Sequence, residues 1–78
     1  MTIYRNPTEA EVADATRGGR PMRMLLERET GDVIAWPAEE GLHADIMREL
    51  NLSEDAADNL GSVRSYEDYK RLVDWVGR

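Results

Sequence analysis

Polar and apolar residues alternate along Met22–Arg28, so side chains two positions apart would share one face of an extended strand. The turn Glu29–Asp32 follows, and Gly31 supplies the left-handed backbone conformation that such turns need. The apolar run Val33–Trp36 comes next and is bounded by a proline. The pattern therefore predicts a β-hairpin. The apolar face of its first strand comprises Met22, Met24 and Leu26.

Helical spacing of apolar residues predicts two helices after the hairpin. Pro37 suits a first helical turn, so a helix is expected over Ala38–Leu50 with Gly41 inside it. The last helix is expected over Tyr66–Val76, capped by Ser65. The positions expected to face the core are Leu42, Ile46, Met47 and Leu50 in the former helix, and Tyr69, Leu72, Val73 and Val76 in the latter.

Capping signals predict two more helices. Thr8 and Glu11 match a capping box, which predicts a peripheral helix over Glu9–Arg17. Ser53 is a further capping residue and predicts a short helix over Glu54–Leu60. The glycines that would end these helices are Gly18, Gly19 and Gly61.

These elements predict an α+β fold, with residues 1–78 forming one small domain. A hairpin alone is marginal in water, so we expect the second and last helices to cover its apolar face. A third antiparallel strand would come from Ile3-Tyr4 or from Ser62–Arg64. The expected architecture is a hairpin or a three-stranded antiparallel sheet packed against three to four helices.

Negative charge is concentrated in one part of the chain. The formal net charge is −6, and residues 37–60 account for it with seven acids and only Arg48. An acidic surface repels nucleic-acid phosphates and attracts basic protein surfaces. We expect these carboxylates to project together, mostly from helices, as the partner-binding surface. The seven residues are Glu39, Glu40, Asp45, Glu49, Glu54, Asp55 and Asp58.

Signals of catalysis or metal binding are weak. The chain has no cysteine, which excludes thiolate chemistry, and its one histidine, His43, has no serine in a nucleophile-like setting nearby. The acids do not follow the spacing of a calcium-binding loop, and Gly18-Gly19 lacks the phosphate-binding loop pattern. We therefore expect no enzymatic activity, no metal and no cofactor, and we interpret His43 as a partly exposed polar residue.

Arginines and tryptophans offer the other candidate surfaces. The alternative basic patch on the hairpin comprises Arg17, Arg20, Arg23 and Arg28. No aromatic residues flank these arginines and the net charge is negative, so we expect no direct binding of nucleic acid. Trp36 and Trp75 are interpreted as core anchors, with Trp75 at the edge of its helical stripe as a candidate interface residue.

Two resemblances bear on function. The segment Glu29–Trp36, followed by Leu42–Ile46 and Leu50–Leu52, resembles a segment of phage and prophage proteins, which implies phage origin. The chain's size, acidity and lack of catalytic residues resemble those of phage-encoded anti-CRISPR proteins. That resemblance implies an inhibitor that acts as a DNA mimic and blocks the nucleic-acid-binding surface of a CRISPR effector complex.

The expected partner is thus a protein with a basic surface, met in the cytoplasm of a bacterial host. No apolar run approaches the ~20 residues of a membrane span, and the first residues lack the apolar segment of a signal peptide. The alternative is a phage structural or interaction module. It would be a monomer or a homodimer, and an exposed edge of the hairpin would allow strand addition.

Overall fold

The computed structural model describes residues 2–76, which form one antiparallel sheet with helices on both of its faces. The strands are β1 (Tyr4–Arg5), β2 (Met22–Glu27), β3 (Val33–Pro37) and β4 (Ala57–Val63). The α-helices are α1 (Glu9–Ala15), α2 (His43–Glu49) and α3 (Tyr66–Val76). Short 3-10 turns lie at Arg17–Gly19, Ala38–Glu40 and Glu54–Ala56. The expected α+β class is confirmed.

The sheet has four strands in the order β1-β3-β2-β4. The predicted hairpin is confirmed as β2 and β3, with Leu26 opposite Val33 and a φ of 77° at Gly31 in the turn. Both regions considered for a third strand are extended, since β1 pairs with β3 and β4 pairs with β2. The hairpin therefore lies inside the sheet, and the prediction of an exposed hairpin edge is wrong. The long exposed edge belongs to β4.

Each face of the sheet carries its own core. Met24 and Ala35 pack with residues of α1 and α3 on one face, whereas Leu25 and Trp36 pack with residues of α2 on the other. The expectation that the second and last helices cover the same face is therefore wrong. The reason is that every residue of β3 is buried, so both faces of the hairpin need apolar cover.

Helix α1 contributes to the core and is not peripheral. Val12 is fully buried among residues of β2, β3 and α3. The predicted capping box is confirmed, because the Thr8 hydroxyl accepts from the Glu11 amide at 3.2 Å and the Glu11 carboxylate accepts from the Thr8 amide at 2.9 Å. The helix ends at Ala15, two residues earlier than predicted.

Helix α2 begins at His43, five residues later than predicted. The Gly41 carbonyl accepts a hydrogen bond of 2.9 Å from Nε1 of Trp36, whose side chain is fully buried. This hydrogen bond keeps the backbone just before α2 extended beside the indole, so the helix starts later than predicted. Leu42 consequently precedes the helix and is 61% exposed, so its predicted core position is wrong. The other predicted positions do pack on the sheet: Ile46, Met47 and Leu50.

The predicted helix over Glu54–Leu60 is wrong, because only its first turn is helical and β4 starts at Ala57. Asn59 lies opposite Leu25 and Gly61 lies opposite the preceding residue of β2. The intervening residue forms a β-bulge, and the φ of 87° at Gly61 suits a bulge glycine.

Helix α3 matches its predicted bounds, and the Ser65 hydroxyl accepts from the Asp68 amide at 3.1 Å. Tyr69 is buried against the sheet. Trp75 is 72% exposed, so its interpretation as a core anchor is wrong, whereas that of Trp36 is confirmed. No helix within residues 2–76 is long and apolar enough to cross a membrane.

Candidate functional site

The seven predicted carboxylates do not form one surface. Glu39 and Glu40 lie in the turn after β3, beside the start of β2, because the Ala38 amide donates to the Pro21 carbonyl at 3.0 Å. Glu40 also accepts from the Thr2 amide at 2.6 Å. These two acids therefore belong to the end of the sheet where β2 begins.

Glu54 and Asp55 lie at the other end, where β2 finishes, because the Arg28 amide donates to the Ala56 carbonyl at 2.9 Å. Asp58 lies close by in β4. The length of β2 separates the two ends by roughly 16 Å. The Debye length at physiological ionic strength is about 8 Å, so exposed charges at one end are largely screened from the other.

The two remaining predicted acids lie on α2. The Asp45 carboxylate accepts a hydrogen bond of 2.8 Å from the Leu42 amide and lies 3.7 Å from the Arg48 guanidinium. Asp45 therefore stabilises the N-terminus of α2. Glu49 is exposed in the last turn of α2 and has no ion pair within the described residues 2–76. The expectation of one helical acidic face is thus wrong, because α2 is short and the other predicted acids lie in two separate 3-10 turns and in β4.

Negative charge does gather at the end of the sheet that carries the β2–β3 turn. Three segments meet there: the end of β2, the turn itself, and the turn that leads into β4. We call this region the acidic end, and its acids are Glu27, Glu29, Asp32, Glu54, Asp55 and Asp58. Arg5 and Arg28 lie among them. The acidic end thus contains six acidic residues and two arginines.

Arg5 draws two of these acids together at the β1 side. Its guanidinium lies 3.1 Å from the Glu27 carboxylate and 2.6 Å from that of Asp32. Asn6 donates a further hydrogen bond of 2.8 Å to Asp32. The bonds from Asn6 and then Arg5 lower the pKa of Asp32, and the bonds to Asp32 and Glu27 raise the pKa of Arg5.

Arg28 plays the corresponding part at the β4 side. It forms an ion pair with Asp58 through two nitrogens, and it donates to the Asp55 carbonyl at 3.2 Å. Its hydrogen bonds hold the pKa of Asp58 below the usual range. The pair neutralises Asp58 and fixes the turn before β4 against the hairpin.

Three carboxylates of the acidic end are left without an ion pair within residues 2–76. They are Glu29, Glu54 and Asp55, and all three are exposed. Their backbone segments are joined through Arg28, whose amide and side chain both bond to the turn before β4. Exposed carboxylates on ordered backbone are well placed for charge-assisted hydrogen bonds to arginine or lysine of a partner.

Glu27, Glu29 and Asp32 were not predicted as site residues, because they lie outside the acidic stretch 37–60. The signal available was the hairpin turn, which had to place these residues at one end of the sheet. What the sequence did not indicate was that residues 54–58 return to the same end, where the edge strand β4 begins.

The alternative basic patch does not assemble. Arg17 pairs with Asp14 at 2.8 Å and Arg20 pairs with Glu39 at 3.5 Å, both at the end opposite the acidic end. Arg28 lies at the acidic end itself. The arginines of the predicted basic patch are therefore divided between the two ends of the sheet, and three of them already pair with acidic residues.

His43 is half-buried at the start of α2, with its ring centroid 6.5 Å from that of Trp36. Its Nδ1 is buried and has no hydrogen-bond partner in the described part of the chain. A cleft of about 540 Å³ beside it is bounded by Met47, Asn51 and Glu54 among others. Within residues 2–76, no three histidine or acidic side chains are grouped closely enough to hold a metal ion.

Comparison with known proteins gives no relative for this chain. No protein-family model matches it, and neither a similar curated protein nor a similar solved structure was found. Phage origin and the likeness to anti-CRISPR proteins therefore stay predictions from the sequence.

Proposed function

We propose that this chain is a protein-binding inhibitor that acts through its acidic end rather than through catalysis. One observation carries the proposal: Glu29, Glu54 and Asp55 are exposed, have no ion pair within residues 2–76, and lie on segments that Arg28 fixes together. A basic groove on a partner would supply the cations that these carboxylates lack.

Electrostatics sets the expected behaviour of such a complex. Attraction between complementary charges accelerates association. This attraction weakens steeply as the salt concentration rises, because salt screens exposed charges. Acids at the rim of an interface mainly affect the association rate, whereas desolvated pairs affect dissociation. We therefore expect an affinity that depends strongly on ionic strength.

The partner that we propose is a CRISPR effector complex in the cytoplasm of a bacterial host, with the chain as a phage-encoded anti-CRISPR protein. Such complexes hold nucleic acid in positively charged channels, which an acidic DNA mimic could occupy. The chain's acidity and the ordered carboxylates of the acidic end support this choice. The chain is expected to bind the protein surface and not to contact nucleic acid directly.

The test uses a panel of purified CRISPR effector complexes and measures their binding to labelled target DNA as the protein is added. At least one complex should lose DNA binding, and the loss should be smaller at high salt. Asp55→Lys should weaken the inhibition strongly, and the control Glu39→Lys, at the other end of the sheet, should leave it nearly unchanged. Failure to inhibit any complex, or equal effects of the two variants, would contradict the proposal.

A second candidate is a phage interaction module, and the exposure of Trp75 favours it. Trp75 is 72% exposed on α3, and tryptophan is enriched among the residues that contribute most to binding at protein interfaces. The oligomeric state of the protein separates this candidate from a strictly monomeric inhibitor.

A further inference from the structure

Arg23, in β2, differs from the other arginines of residues 2–76. Those others form ion pairs with acids, except that Arg64 donates to the Gly19 carbonyl at 2.7 Å. Arg23 has no ion pair among the same residues, although it is half-buried, and its buried Nε has no hydrogen-bond partner there. A partly buried charge without a counter-charge costs free energy. An anion that binds Arg23 would reduce that cost.

The face of the sheet to which Arg23 points follows from its neighbours along the strand. Met22 and Met24 are buried in the core with residues of α1 and α3, so Arg23 between them points to the opposite face, which carries α2. On that face, the strand register places Arg23 between Trp36 of β3 and Ser62 of β4. Directly opposite residues of antiparallel strands have Cβ atoms about 5 Å apart. The three side chains therefore form one row across the sheet.

A second buried nitrogen without a hydrogen-bond partner lies beside the same indole. The ring centroid of His43 is 6.5 Å from that of Trp36, and Nδ1 of His43 is buried and has no partner in the described part of the chain. Buried polar side-chain atoms are hydrogen-bonded in the large majority of cases. Here the exceptions within residues 2–76 are Nε of Arg23 and Nδ1 of His43, and both side chains adjoin Trp36.

We propose that Arg23 is the centre of a binding site for an oxyanion, the carboxylate or phosphate group of a small ligand. A guanidinium donates in parallel through two of its nitrogens to two oxygens of such a group. The Ser62 hydroxyl provides a further donor and is exposed, which leaves the site open to solvent on the β4 side. Nδ1 of His43 is the third donor in the tautomer that carries its proton there.

The acids at this end of the sheet do not compete for Arg23, because they already have other partners. Glu39 pairs with Arg20 at 3.5 Å, Glu40 accepts from the Thr2 amide, and Asp45 accepts from the backbone at the start of α2. The acidic end lies at the opposite end of the sheet, beyond the Debye length of about 8 Å at physiological ionic strength. The oxyanion site is therefore separate from the acidic end, and it does not depend on what the acidic end binds.

An NMR titration of the isotope-labelled full chain tests the site, with sodium phosphate in one series and sodium acetate in another. Sodium chloride at matched ionic strength is the control. We expect saturable shifts of the Arg23 Nε–H signal, the Trp36 indole N–H signal and the backbone amides of Arg23 and Ser62. Comparing spectra with those of Trp75→Phe assigns the two indole signals. The series that saturates at lower concentration identifies the ligand as a phosphate or as a carboxylate.

Substitutions separate this site from general attraction of anions. Arg23→Gln should weaken binding at least about tenfold, and Arg23→Lys should retain part of the affinity, because it keeps the charge but loses the paired donors. His43→Ala should weaken binding about twofold to tenfold, because it removes one donor. The matched control is Arg20→Gln, which makes the same change at the same end of the sheet and should leave the affinity unchanged. Circular dichroism checks the fold of each variant.

Two results would overturn the proposal. The first is the lack of saturable shifts at these residues with both phosphate and acetate. The second is an affinity that Arg23→Gln and Arg20→Gln lower equally, since any surface arginine would then serve. Neither result bears on the inhibition of DNA binding, which is measured separately.

Discussion

Arg28, which directly follows β2, forms an ion pair with Asp58 near the start of β4. The pair bridges the two strands beyond the last paired residues of β2, and Arg28 also binds the Asp55 carbonyl. One arginine thus neutralises an acid predicted to be free for binding and fixes two others, Glu54 and Asp55, beside the hairpin turn.

Acid sensitivity follows from the lowered pKa values of Asp32 and Asp58. Below the unfolded pKa of about 3.9, the unfolded chain binds more protons than the folded one, so stability falls as pH falls through the folded-state values. The contribution is fully present above that unfolded pKa. Thermal unfolding measured from about pH 5 to about pH 2 should show the decline.

The control for this prediction is the double variant Asp32→Asn with Asp58→Asn, which removes both titrations. It should be less stable than wild type at neutral pH, and the difference should shrink as the pH approaches 2. A difference that stays constant over the whole range would show that these two carboxylates do not cause the acid sensitivity.

The two tryptophans should respond very differently to replacement by phenylalanine. Trp36 is fully buried and donates to the Gly41 carbonyl, so Trp36→Phe should lower the free energy of unfolding by about 2 kcal/mol or more. Trp75→Phe should change it by less than about 0.5 kcal/mol, because the side chain is exposed. Urea denaturation followed by circular dichroism measures both.

Fluorescence provides an independent check on the same pair of variants. The protein with only Trp36 should emit at shorter wavelength than the protein with only Trp75, because indole emission shifts to the red in water. Equal stability losses or indistinguishable emission maxima would contradict the assigned burial.

Two of the capping residues predicted from the sequence, Thr8 and Ser53, should differ in their effect on stability. The Thr8 hydroxyl accepts from the Glu11 amide, so Thr8→Ala should destabilise the protein by about 1 kcal/mol. Ser53 makes no side-chain capping bond, so Ser53→Ala should cost less than about 0.5 kcal/mol. Chemical denaturation measures the loss of stability in both variants. A larger loss for Ser53→Ala than for Thr8→Ala would indicate a helix that Ser53 caps.

The sequence predicted the elements whose signals are local. The hairpin, the capping box of α1 and the bounds of α3 all follow from periodicity, turn glycines or capping residues within a few positions. β4 could not be predicted this way. Its bulge lets Leu60 and Val63, three residues apart, pack in the same core, which is a helical spacing, and its Asp, Asn and Gly residues are poor strand formers. Pairing with β2 decides its conformation.

The start of α2 and the acidic surface were misjudged for a related reason. A hydrogen bond from Trp36 to Gly41 interrupts the predicted helix, and this contact depends on how the indole packs under the following loop. The acidic stretch was identified in the sequence, but which acids share an end of the sheet depends on strand order. Glu29 joins Glu54 only because β4 pairs with β2.

The most direct test of the acidic end is an NMR titration of isotope-labelled protein with a short oligoarginine peptide, followed through the backbone amide signals. We expect the largest shifts at residues 27–32 and 54–58, and these shifts should decrease as salt is added. The amides of Glu39 and Glu40 should move little. Uniform shifts, or shifts centred on Glu39 and Glu40, would contradict the assignment of the acidic end as the recognition surface.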